Sequence, residues 1–105
     1  MAKKRRLVWS DRAKADLRDI RNFIAQQAPR TAQAFVRQIR ARCRNLLSLP
    51  FAAPMVEEVG SHTFRETYHG SYRIMFEITK DAVVIVSVFH GARLFLPDTL
   101  EDADE

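Results

Sequence analysis

Cysteine is almost missing from this chain of 105 residues: there is one, Cys43. No internal disulfide and no multi-cysteine metal cluster can form, and a reducing compartment fits best. Glycine is scarce too. Gly60, Gly70 and Gly91 leave no glycine-rich loop to cradle a phosphate. His62, His69 and His90 have no carboxylate, cysteine or histidine partner at ligand spacing, so no metal and no other cofactor is expected. No apolar run approaches the roughly 18 residues of a membrane span. The basic start "MAKKRRLVWS" lacks the following apolar segment of about 7–15 residues that a signal peptide needs. The cytoplasm is the expected location.

Acids are scarce in one half only. Residues 1–50 hold 13 Lys and Arg against 3 Asp and Glu; residues 51–105 hold 4 against 10. The net charge of +4 hides this split. A basic half suggests a surface for a polyanion or an acidic partner; the plainer reading is a solvated helix face. A hydrophobic content of 47% and a charged content of 29% are those of a globular protein, and the length fits one domain. That domain is expected over 1–96, with 97–105, "PDTLEDADE", as an acidic mobile tail.

Residues 4–9, "KRRLVW", read as a short strand. Ser10 or Asp11 suits a helix N-cap, because its side-chain oxygen can accept from free amides of the first turn. Ala13, Leu17, Ile20, Ile24 and Ala28 then recur at steps of 4, 3, 4 and 4, one helical stripe that Phe23 widens. Pro29 ends that helix and suits the first turn of a second. The second helix carries Ala32, Phe35, Val36, Ile39, Cys43, Leu46 and Leu47 on one face. Arg37, Arg40 and Arg44 stack on the other, with Arg42 on the flank. Cys43 lies on the apolar face, where it behaves as a small core residue. "LPFAAPMVEEVG" has two prolines and no period, and reads as a loop.

After the loop the period becomes 2. "TFRETYH" and "YRIMFEI" flank "GS", a two-residue hairpin signal. "KD" at 80–81 makes the next turn. "AVVIVSVFH" is apolar throughout, as a central strand covered on both faces would be. The fold class is α+β: an N-terminal strand, then a helical hairpin packed on a small twisted antiparallel sheet, in the order β-α-α-β-β-β. The first strand must join an edge of the meander to pair its amides.

Candidate chemistry concentrates in cations. Pairing across "GS" sets 69 opposite 72, so 68 faces 73 and 65 faces 76. Arg73 then shares a sheet face with Tyr68 and Glu66, and Glu66 is its diagonal neighbour. Arg73 is either an internal ion pair or a grip on phosphate or an acidic partner. Arg65, Arg73, His90 and Arg93 have the types that cut RNA: an imidazole base and cations for the scissile phosphate. No tyrosine or lysine follows Lys80 to donate a further proton. Gly91 more simply ends the last strand and frees the turn that aims Arg93.

"WSDRAKADLRDIRNFI", "YRIMFEI" and "VIVSVFHGAR" together resemble the ParE branch of the RelE/ParE toxin superfamily, over about residues 5–96. The resemblance implies a helical hairpin on an antiparallel sheet and a toxin of a type II toxin–antitoxin module. It implies a ParD-like antitoxin that lays an acidic, amphipathic C-terminal segment on the toxin. It also implies growth arrest by binding DNA gyrase, with no catalysis. Arg73 and Arg93 match arginines shared by both branches of the superfamily. The C-terminal tyrosine of RelE-like nucleases would fall near Leu96 to Thr99, which holds none. The expected partner contacts are Arg37, Arg40, Arg44, Arg73 and Arg93. The alternative is a RelE-like, ribosome-dependent mRNA endonuclease using Arg65, Arg73, His90 and Arg93. Direct nucleic-acid binding by the toxin ranks last.

Overall fold

Ser10 opens the first helix. Its Oγ accepts from the amide of Ala13 at 3.0 Å and donates to the carbonyl of Val86 at 2.9 Å, so one side chain caps the helix and ties it to a strand. The computed structural model describes residues 4–92. Its elements are β1 (Arg6–Trp9), α1 (Asp11–Ala25), α2 (Pro29–Asn45), a 3-10 turn (Pro50–Ala52), β2 (Phe64–His69), β3 (Tyr72–Ile78) and β4 (Ala82–His90). The expected order β-α-α-β-β-β is the observed one. Arg93 and the acidic 97–105 segment lie outside the described residues.

The sheet order is β1-β4-β3-β2, so the apolar strand is central, as its sequence required. β2, β3 and β4 form the antiparallel meander, and β1 joins β4 in parallel. Gly70 takes φ +56 in the two-residue turn between β2 and β3. That left-handed value is what a tight hairpin demands of one central residue. The turn sets His69 opposite Tyr72, Tyr68 opposite Arg73 and Arg65 opposite Phe76, the register that the sequence spacing gives.

One feature of β4 has no sequence signal. Met75 faces Ser87 and Phe76 faces Ile85, so Val86 is an extra residue, a β-bulge. The bulge shifts the parity of the strand. Val83, Ile85 and Val88 all enter the core beneath the helices, with Ile74, Phe76, Ile78, Leu17, Ile39 and Cys43. The backbone groups that the bulge frees go to α1. Asp16 Oδ2 accepts from the Val88 amide at 3.0 Å and from Ser87 Oγ at 2.8 Å. The Val86 carbonyl is the one that Ser10 holds.

The far face of the sheet has its own small core. Val56, Met75 and Phe89 are buried there, with Val59 and Phe64 against them. The segment read as a featureless loop therefore plugs this face. It also pairs with the edge strand: the Val56 amide donates to the Phe64 carbonyl at 3.0 Å, and the Glu66 amide to the Pro54 carbonyl at 3.0 Å. Phe23, expected to widen the buried stripe of α1, is instead 70% exposed. It sits at the edge of that stripe, outside the buried cluster.

Replacing Asp16 by alanine leaves a strand amide and a serine hydroxyl unpaired, which costs about 1–3 kcal/mol. For a domain of this size that lowers Tm by roughly 5–15 °C. Asp16→Asn keeps an acceptor oxygen and should lose less; thermal unfolding followed by circular dichroism measures both.

Candidate functional site

The hairpin's outward face is basic. Arg37, Arg40 and Arg44 on α2 are exposed, as their spacing predicts. α2 has five arginines and no acid over its 17 residues. The Arg40 guanidinium lies over the Trp9 indole, 5.7 Å from its centre, within cation–π range. A second row lies on α1. Lys14, Arg18 and Arg21 on α1 are exposed and recur at steps of 4 and 3, the same signal that marks the α2 row. Lys14, Arg18, Arg21 and Arg40 rim a cleft of about 190 Å3, floored by Trp9, Leu17 and Val36. Among the described residues Arg18 alone of these six cations has an ion pair, with its neighbour Asp19 at 3.6 Å. Like charges three and four apart cost a helix about 0.2–0.5 kcal/mol per pair, so this face is held at some expense to stability.

A second, wider groove runs beside the C-terminal half of α2. Leu46, Leu49, Ala52 and Ala53 give it apolar walls, and Arg42, Gln38 and His69 give it polar ones, around about 520 Å3. Leu49 is 73% exposed there.

The arginines of the sheet are differently placed. Arg65 faces the helical side of β2, where Nε donates to the His62 carbonyl at 2.7 Å and Nη1 to the carbonyls of Phe51 and Ala53 at 3.1 and 3.0 Å. It binds loop to strand. Arg73 faces the opposite side and is 7% exposed. Its Nε donates to Glu66, the diagonal neighbour that the register predicts, and its two Nη atoms form a fork with Glu58, both at 2.9 Å. Its guanidinium also lies over Phe89. Glu58 comes from the segment read as a loop; nothing in local spacing marks it.

His90 ends β4 on the helical side, opposite Tyr72, which is opposite His69. The three rings form a row across three strands. Tyr72 meets His90 edge-on, with ring centres 5.6 Å apart, and Phe35 of α2 packs edge-on against Tyr72 and His69. His69 Nε2 is 3.0 Å from Gln38 Oε1, and His90 Nδ1 accepts from the Ala92 amide at 3.1 Å. The expected RNase set is thus not gathered within 4–92: Arg73 is on one face, Arg65 and His90 are on the other, and Arg93 lies outside. Gly91 is crowded as well. A Cβ there would sit 3.1 Å from the Ser71 carbonyl and 3.3 Å from the Tyr68 ring, so close approach, not a special backbone angle, explains the glycine.

Two titrations stand out. Burial pushes the Cys43 thiol up to about 12, against the pull of Arg40, Arg42 and Arg44, so it is an inert core group as expected. The hydrogen bonds from Arg73 lower the Glu58 carboxyl from 4.5 to about 2. A depressed carboxylate stabilises the fold above its unfolded value and loses that contribution as pH falls toward its folded one. The midpoint of urea unfolding for Glu58→Gln should therefore lie below the parent's at pH 7, with the gap closing below about pH 4.5. An equal gap at pH 7 and pH 3 would contradict this. Arg73→Met, which strands two acids, should cost about 3 kcal/mol or more.

The comparisons with known proteins agree with this geometry. A family model described as the ParE toxin of the type II toxin–antitoxin system parDE matches residues 7–95. Among solved structures, the chromosomal ParDE TA system from P. aeruginosa is similar, with a TM-score of 0.71 at 17% identity. The match covers 83% of this chain and 96% of that one, and at such identity it speaks to the fold. No curated protein matches in sequence. With the family model covering all but the ends of the chain, and with the hairpin and meander in the expected order, this chain belongs to the ParE toxins of type II toxin–antitoxin systems.

Proposed function

We propose that this toxin arrests growth in the cytoplasm by binding DNA gyrase, without chemistry of its own, and that a ParD-like antitoxin neutralises it. The observation that carries this reading is the exposed arginine row of α2, Arg37, Arg40 and Arg44, which has no ion pair among the described residues. Such a row recognises carboxylates or phosphates on another macromolecule. Family membership and the lack of a tyrosine near Leu96 to Thr99 support it. The antitoxin's acids would meet this row, and its apolar anchors suit the groove of Leu46, Leu49, Ala52 and Ala53 beside Arg42. Arg93 stays in the proposed contact set from the sequence. Arg73, expected there too, is engaged with Glu58 and Glu66 and is assigned to holding the fold.

Purified toxin at micromolar concentration should abolish supercoiling of relaxed plasmid by gyrase or trap cleaved DNA. Unchanged supercoiling would remove the gyrase reading. Charge reversal at Arg37 and Arg40 should weaken antitoxin binding about ten- to a hundredfold, or ~1.4–2.8 kcal/mol. An unchanged affinity would place the acids elsewhere.

The second reading, an mRNA endonuclease, is favoured by one observation. Tyr72 sets a phenol beside the His90 imidazole, the proton-donor type that the chain lacks after Lys80. Under this reading a translating extract should accumulate cut transcripts, and Tyr72→Phe or His90→Ala should abolish the cuts. Intact transcripts during growth arrest would exclude it.

A further inference from the structure

The two opposed cationic rows of the hairpin ask for a ligand that neither helix alone suggests. Each row spans eight residues, seven steps, or about 10 Å along its helix at the 1.5 Å rise. Packed helices stand about 8–10 Å apart. The six cations are therefore spread over a patch and do not converge on one point, which fits an extended polyanion better than a single phosphate or carboxylate. Among the described residues only Arg18 of the six has an ion pair. Asp16 is turned inward onto Ser87 and Val88, Asp19 is against Arg18, and α2 has no acid.

We propose that this face, with Lys14, Arg18 and Arg21 opposite Arg37, Arg40 and Arg44, binds duplex DNA through its phosphates, independently of sequence. The proposal stands apart from the gyrase reading. Guanidinium groups match phosphate oxygens in pairs, and phosphate contacts position a protein without reading bases. A duplex is favoured over an unpaired strand because unstacked bases need a run of exposed aromatic rings. Among the described residues the cleft between the rows has one aromatic ring, Trp9, half-buried beneath Arg40. Duplex is also favoured over an acidic peptide helix as a ligand of both rows at once, the α2 row alone being the one proposed for the antitoxin. Such a helix seats apolar anchors at successive turns, and the cleft between these rows is only about 190 Å3.

The test uses the full chain alone, with no gyrase and no antitoxin, and a fluorescein-labelled 30-base-pair duplex. Anisotropy is read from 50 to 200 mM KCl. With about five phosphate contacts, log K should fall against log salt with a slope of about −4 to −5. A duplex of unrelated sequence should bind within about twofold. Arg18→Ala with Arg21→Ala, positions outside the proposed antitoxin contacts, should flatten the slope by about 2, whereas Lys80→Ala on the distant β3–β4 turn should leave it unchanged. Circular dichroism and a parental Tm establish that each variant is folded. A slope flatter than −1, or an α1 double variant that binds like the parent, overturns the proposal. So does a glutamate-rich 20-residue peptide that binds where the duplex does not, since the patch would then belong to an acidic polypeptide. None of these failures touches the supercoiling assay, in which gyrase is the readout.

Discussion

The bond between Asp16 and the bulge of β4 fixes how the helical hairpin sits, and the rest of the surface follows from it. An α-helix turns about 100° per residue, so a side chain two residues from another points to roughly the opposite side. With Asp16 held inward by Ser87 and Val88, Lys14, Arg18 and Arg21 must face out. Ser10 holds the start of the same helix to Val86, so α1 can neither slide nor roll on the sheet. α2 follows, because its apolar stripe shares the core with α1. Two cationic rows are thereby presented together, on a support that is buried and hydrogen-bonded beneath them.

Acids and bases are segregated within the fold, not merely along the chain. The second half contributes Glu58 and Glu66, and both are committed to Arg73 on the far side of the sheet. Arg65 is committed to loop carbonyls. Arg65 and Arg73 of the sheet therefore act as internal ties, while Arg37, Arg40 and Arg44 of the hairpin have no ion pair among the described residues. This division separates two meanings that clustered arginines carry in a sequence.

Elements whose signal is local were legible from residues alone. The stripes of α1 and α2, the "GS" hairpin with its register, and the central position of "AVVIVSVFH" all follow from periodicity and turn chemistry. The Glu66–Arg73 contact was within reach because a two-residue turn fixes which side chains are diagonal. The bulge was not legible, since an extra valine in a run of valines leaves the composition unchanged. Glu58 was not legible either, because its meeting with Arg73 depends on the path of an aperiodic segment. Nor was the parallel pairing of β1, which joins residues more than seventy positions apart. The α1 row is a different case. Its steps of 4 and 3 are present, but the interleaved Asp16 and Asp19 disguise it; Asp16 is engaged with β4, which spacing along one helix does not reveal.

If the outward face of the hairpin grips another macromolecule by charge, with the sheet as its support, its arginines must be covered in the complex. Arginine-directed covalent labelling of the toxin, read by mass spectrometry with and without gyrase and DNA, measures that cover. Labelling should fall at Arg18, Arg21, Arg37, Arg40 and Arg44 when the target is present, and Arg73 should stay unreactive in both states. Equal labelling of both helical rows with and without gyrase and DNA is the opposite result, and it removes the charged grip.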